Sequence, residues 1–199
     1  MSGHTPSVRA WFPKPYADFV QRLRVLFGFL LLIAFAWLAI PSYRSILIGL
    51  PFCLAGLIIR AWAAGHLAKN EELTTSGPFA YVRNPLYAGT LVAAAGIVIA
   101  SRSIALAVIF AFVFVFVYLP VIELEEQHLR NIFPSFDAYA RRVHRFLPLS
   151  KWAGHERAFS WALYAKNEEY KALLGLLVAL GWLIWRWGSL ADGIPPNPG

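Results

Sequence analysis

The chain has 199 residues, 58% hydrophobic and only 15% charged, with a formal net charge of +7. Its charges are bunched between long apolar runs, so water is not the solvent for most of it. The basic residues sit at the ends of those runs and form no stripe, which argues against a nucleic-acid partner. The single cysteine, Cys53, excludes an intrachain disulfide framework and a cysteine zinc site.

This length suits one domain, residues 1–199. Its leader holds Pro and aromatic residues, and the first apolar run starts only near Val25, so it reads as a first membrane span and not as a cleaved signal peptide. The runs Val25 to Ile40, Ile46 to Ala64, Leu86 to Ala100 and Ile104 to Ile122 predict four spans; the second holds Pro51 and is interrupted by Arg60. A fifth run, Ala172 to Trp185, has 14 residues before Arg186, short of the roughly 20 that a span usually needs, and is predicted as a span. The expected fold is all-α: a polytopic transmembrane helical bundle of about five spans, with a helical cofactor site on the cytoplasmic face.

Orientation follows from Lys and Arg. With the N-terminus inside, 15 lie in or beside inner segments and 3 (Arg44, Arg102 and Arg186) in outer ones. Trp152, Trp161, Trp182, Trp185 and Trp187 suit an interfacial aromatic belt. The links Pro41 to Ser45 and Ser101 to Ser103 are tight and predict antiparallel neighbours. Beyond the fourth span the helix is expected to run to about Phe133 and break at Pro134. A second helix follows, capped near Ser135, with Phe136, Ala140 and Val143 on one face. The stretch from His155 to Ala165 reads as a surface-lying amphipathic helix, and the Pro-rich end from Ile194 as mobile.

Two polar constellations lie at span ends. The first is Gly77 to Gly89, where Pro85 suits a first helical turn and brings Arg83, Asn84 and Tyr87 to a helix entrance fitted to an anionic or polar ligand group. Singly, these residues would read as interfacial anchors. The second is Glu123, Glu125 and Glu126, acids at the end of an apolar run, where helix dipole and desolvation both oppose them. An ordinary i,i+4 pair of Glu126 with Arg130 would account for part of this. The third and fourth spans rise roughly 22–28 Å each at 1.5 Å per residue. The three-residue link therefore brings Asn84 and Tyr87 level with Glu125 and Glu126. A third cluster, Arg141, Arg142, His144 and Arg145, fits anionic headgroups equally well. No His, Cys or carboxylate set has metal spacing, so no metal is expected.

These stretches resemble the membrane methyltransferases of the isoprenylcysteine carboxyl methyltransferase and phospholipid methyltransferase type. The resemblance is carried by Arg83-Asn84-Pro85-Leu86-Tyr87-Ala88-Gly89, then Glu125-Glu126-Gln127-His128-Leu129, then Phe133, Phe136, Tyr139, Val143, Arg145 and Pro148. It covers about 69–148, leaving 149–199 as an extension. It implies S-adenosyl-L-methionine as cofactor. The implied binding residues are Glu71, Glu72, Leu73, Thr74 and Phe79, then Arg83, Asn84, Pro85, Leu86 and Tyr87, with Glu125 and Glu126. Glu125, Arg142 and Arg145 are implied as catalytic residues. Asn84 stands where the family commonly has His, Pro134 and Phe136 replace Gly and Tyr, and Val121 stands where the isoprenylcysteine enzymes carry a substrate-binding Arg. The implied partners are membrane lipids and a lipophilic acceptor: a prenylcysteine-like carboxylate, a phospholipid amine or another small nucleophile. No obligate protein partner is evident. Two other readings remain open, a small NADPH-using relative of the sterol reductases and a non-enzymatic lipid-binding protein.

Overall fold

A computed structural model of the chain describes residues 11–149, 151–152 and 157–191. The expected mobile end from Ile194, and His155 at the start of the expected amphipathic helix, lie outside them.

Helix α1 is Lys14–Leu38, α2 Tyr43–Ala64 and α3 Pro85–Ser101. Helix α4, Ile104–Val113, passes through a π-helical turn, Phe114–Tyr118, into α5, Leu119–Ile132. Three more follow: α6 Phe136–Arg142, α7 Trp161–Lys166 and α8 Tyr170–Ala191. The described residues form no strand, only one parallel bridge between Val82 and His144. The bundle is all-α, as expected.

Four helices are long and apolar enough to cross a membrane: Lys14–Leu38, Tyr43–Ala64, the continuous Ile104–Ile132 and Tyr170–Ala191. The sequence led us to expect the last run to be the short one. It is 22 residues long, because the helix continues through Arg186, whose Nε donates to the Ala39 carbonyl. The shorter apolar helix is α3, whose 17 residues rise about 25 Å.

Two glycine pairs set how deeply α3 seats. Gly49 and Gly56 on α2 face Gly96 and Gly89 on α3, each pair spaced seven residues apart in sequence. A Cβ at Gly56 would lie 2.5 Å from the backbone of Ala93, and one at Gly49 2.3 Å from the Gly96 carbonyl. The two backbones therefore touch, as small residues allow between membrane helices. Cys53, fully buried between them, places its sulfur 3.6 Å from the Ala93 carbonyl.

At one end of the bundle three elements interlock. The Ile40 amide donates to the Ser101 carbonyl at 2.9 Å, and the Ser45 hydroxyl to the Ala100 carbonyl at 2.8 Å. Ser42 and Ser45 form a reciprocal capping box on α2, and Ser103 caps α4. Arg102, with φ 53°, makes the left-handed turn that lets α4 double back on α3. The opposite end carries the polar clusters.

The π turn has a chemical cause. Pro120 supplies no N–H and its ring crowds the carbonyl one turn earlier, at Phe116. That orphaned oxygen accepts the Tyr16 hydroxyl at 2.5 Å, which fastens α1 to the bulge. Val20 packs beside this contact against Val113, Val117 and Val121.

Candidate functional site

The α3–α4 hairpin meets the geometric expectation. The Asn84 amide donates to Glu126 Oε1 at 2.8 Å, and the Tyr87 hydroxyl to Glu125 Oε1 at 3.2 Å. Residues 42 and 38 positions apart in sequence thus share one place.

The chain after α5 completes it. Phe133 turns extended ahead of Pro134, and α6 follows with no side-chain cap from the predicted Ser135. Phe136, Tyr139 and Val143 are buried on one face of this segment, with Leu73, Ala140 and Trp152 packed against them. The Tyr139 hydroxyl donates to the Phe79 carbonyl at 2.7 Å, and burial pushes its phenol above the ordinary range, so it stays a donor. Past α6 the backbone lies along the α3 entrance: the Arg83 amide donates to the His144 carbonyl at 2.9 Å and the Asn84 amide to Arg145 at 3.2 Å.

This return delivers Arg145 to Glu126. Its Nε lies 3.1 Å from Oε1 and its terminal nitrogen 2.7 Å from Oε2, a two-pronged grip on a carboxylate only 5% exposed. Arg83 turns inward as well, its Nε 3.4 Å from Glu126 Oε1 without hydrogen-bond geometry, and its terminal nitrogen donates to the Ala140 carbonyl at 3.1 Å. Burial holds the pKa of this guanidinium below its ordinary value, and Glu126 opposes the shift. Glu126 is therefore saturated by three residues from two segments, the α3 entrance and the chain after α6. The i,i+4 pair with Arg130 does not form: Arg130 reaches forward to Asp137 at 2.7 Å and lies over the Phe136 ring, because the break at Pro134 folds α6 back within its reach.

Glu125 has a different setting. Its side chain is 44% exposed, with Arg24 of α1 at 4.0 Å and Lys69 adding positive charge nearby. Tyr118 stands edge-on to Tyr87, their centroids 6.4 Å apart. One turn before Glu125, Val121 is fully buried against Val20.

The remaining predicted residues spread outward. Thr74 is buried and its hydroxyl accepts the Ala68 amide; Phe79 and Pro85 are buried; the Leu86 carbonyl accepts from Thr90 and Arg60. Glu71 and Glu72 are exposed and pair with Lys166 and Arg157. Arg142 is exposed and lies over the Trp152 ring, its guanidinium carbon 5.8 Å from the centroid, whereas Arg145 grips Glu126. The amphipathic segment is represented by α7 alone.

Sequence reasoning missed the partnership of Arg60 with Glu169. Arg60 Nε lies 2.5 Å from Glu169 Oε1 and a terminal nitrogen 3.0 Å from Oε2, while its other nitrogen donates to Thr90 at 2.5 Å, so α2, α3 and the chain before α8 meet in one ion pair. An arginine inside an apolar run was the available signal, because an intramembrane charge needs a named partner. In the sequence Glu123 is one of three acids with nothing to set it apart. It is 8% exposed, accepts the Trp11 amide at 2.8 Å and leaves its second oxygen without a partner among the described residues. Among those residues no group of three or more His, Cys, Asp or Glu is placed to hold a metal ion.

Comparison with known proteins gives relatives and a family. The chain is 32% identical over 111 residues to the cobalt-zinc-cadmium resistance protein CzcN of Cupriavidus metallidurans, covering 54% of this chain and 50% of that protein. It is also 32% identical over 114 residues to the nickel-cobalt-cadmium resistance protein NccN of Alcaligenes xylosoxydans xylosoxydans, covering 56% and 52%. The chain thus spans about half the length of the curated relatives it matches. No solved structure matches. The family model for phospholipid methyltransferases matches residues 23–135, from within α1 to just past α5. Four membrane-length helices and this match over more than half of the chain lead to one assignment: an integral membrane protein that belongs to the phospholipid methyltransferase family.

Proposed function

We propose that this chain moves a methyl group from S-adenosyl-L-methionine to a lipophilic acceptor at the membrane, working from the cytoplasmic face. The observation that carries the reading is the joining of Tyr87 to Glu125 beside Asn84 and Glu126. When bound, the cofactor supplies the reactive methyl on a sulfonium.

The residues present suit it. Glu125 is the half-exposed carboxylate, able to accept from a ribose diol or an ammonium group. The Tyr87 and Tyr118 rings offer electron-rich faces that tolerate a sulfonium. Asn84, Glu126, Arg83 and Arg145 spend their side chains on one another, and their part is to hold the entrance of α3 against α5. Leu73 packs on the α6 face and the Phe79 carbonyl takes the Tyr139 hydroxyl, and with Thr74 they are assigned to the adjoining side of the proposed site. The lysine and arginine distribution supports an inner position for this end of the bundle.

The acceptor is a lipid or another small lipophilic nucleophile that arrives from the bilayer. Val121 gives α5 no cation one turn before Glu125, and Arg145 is committed to Glu126, so an amine or neutral nucleophile fits better than a carboxylate. The relatives' names speak of resistance to cobalt, zinc, cadmium and nickel, which is a phenotype; the side chains here speak to chemistry.

The test is calorimetric titration of S-adenosyl-L-methionine into purified protein in detergent. We expect saturable binding, weakened roughly tenfold to a hundredfold by Glu125→Ala, the size of one lost charge-assisted hydrogen bond. The thermal midpoint should stay where it was. Absence of binding at saturating cofactor overturns the proposal.

A further inference from the structure

The turn Gly77–Ala80 has two sides. On one, the Phe79 carbonyl takes the Tyr139 hydroxyl; on the other, Gly77 and Ala80 line a cavity of about 250 Å³ that the proposed methyl transfer does not use. Its floor is the end of α2, where Trp62 and His66 stand edge-to-face and the His66 ring meets Phe159 in turn. His66 is 4% exposed, with Nδ1 2.9 Å from the Trp62 carbonyl. Gly77, at φ 56°, presses its backbone on this imidazole so closely that a Cβ would sit 2.6 Å from the ring. The floor is therefore built from packed parts and not from a loose loop.

The walls are cationic. Lys151 and Arg157 line the cavity with Thr75 and the buried Ser76, and none of the described lining residues is acidic; Arg157 also pairs with the exposed Glu72 through one of its terminal nitrogens. Aromatic rings could in principle select a cation. Here the chain's own cations already use them: Lys151 lies 5.6 Å from the Tyr81 centroid and Arg142 lies 5.8 Å from that of Trp152. Ammonium, guanidinium and hydroxyl donors around one space match the oxygens of a phosphate. The volume, just under the roughly 300–1,000 Å³ of drug-sized ligand pockets, suits a headgroup and not a whole cofactor.

We propose that this cavity is a second binding site, for a phosphate-bearing anion, either a lipid headgroup or free phosphate. It does not depend on the methyl-transfer reading. Trp62 and Trp152 line it, so indole fluorescence reports occupancy directly. The full chain in neutral detergent is titrated with inorganic phosphate, and separately reconstituted in phosphatidylcholine vesicles with and without phosphatidic acid. A saturable change with inorganic phosphate identifies a soluble ligand; a change only with phosphatidic acid identifies a headgroup. Lys151→Gln with Arg157→Gln should weaken either response by about tenfold. Both side chains are exposed, and the Arg157–Glu72 pair lost in the double variant is a surface pair worth little, which spares the fold; Lys151→Gln alone, which keeps that pair, provides a milder check. Arg141→Gln, exposed and outside the lining, should leave the response intact. No saturable response to either ligand, or an equal loss in the Arg141 variant, overturns the site.

Discussion

Glu125 and Glu126 adjoin in the chain but point about 100° apart on the helix, and that angle separates their duties. Glu126 lies 5% exposed between Asn84, Arg83 and Arg145. Neutralising it leaves two guanidinium groups without their counter-charge, one of them gripping with two hydrogen bonds. Removing one member of such a buried pair costs about 3–5 kcal/mol. Glu126→Ala should therefore lower the thermal midpoint of the purified protein sharply, while Glu125→Ala, half exposed with Arg24 only at 4.0 Å, should shift it little. Equal shifts would show that both carboxylates are structural and would leave no side chain of the pair for a ligand. The motif was legible in sequence as an acidic pair in an awkward place; the division of labour was not. Spacing favoured Arg130 as the partner, whereas the actual partner, Arg145, arrives only after the chain breaks at Pro134 and returns along the α3 entrance.

Elements show the same split between what spacing reveals and what folding adds. The α3–α4 hairpin could be read from a short link and two runs of similar length. The close seating of α2 on α3 was also written in the sequence, as Gly49 and Gly56 against Gly89 and Gly96, but glycines seven apart acquire meaning only once two helices are known to be neighbours. The π turn was hidden because Pro120 sits within an unbroken apolar run, and its consequence falls one turn earlier, on a carbonyl whose partner is about a hundred residues away. This account can be tested by a double-mutant cycle. Tyr16→Phe removes the donor to the Phe116 carbonyl and should cost about 1–3 kcal/mol. Pro120→Ala restores an N–H that can satisfy the same oxygen from within the helix. In that background Tyr16→Phe should cost much less, a coupling read from the thermal midpoints of the four proteins. Additive effects would mean that the bulge and the tyrosine are unrelated.

At the scale of the whole molecule, charge sorts the bundle into two ends. The links that hold Ile40 and Ser101, and Arg186 on the Ala39 carbonyl, lie at one end; Glu125, Glu126, Arg83 and Arg145 gather at the other. Few cations stand at the first end, and by the positive-inside bias the proposed orientation has it outside. Helix α3, at about 25 Å, is shorter than the hydrocarbon core of roughly 30 Å. It is expected to cross, because Ser101 is tied to Ile40 at one end of the bundle while Asn84, just before its first turn, is tied to Glu126 at the other. Thin membrane or snorkelling flanks can absorb the mismatch, and Arg102 is placed to serve as one such flank. Single cysteines separate the possibilities. Cys53, the native thiol, is fully buried between α2 and α3 and should stay silent to a membrane-impermeant maleimide on intact cells, which makes it an internal control. Arg102→Cys should label from outside without lysis, and Lys69→Cys only after the membrane is opened. Labelling of both positions from the same side would mean that α3 re-enters without crossing, and labelling of Lys69→Cys without lysis would put the carboxylate site outside, against the proposed cytoplasmic face.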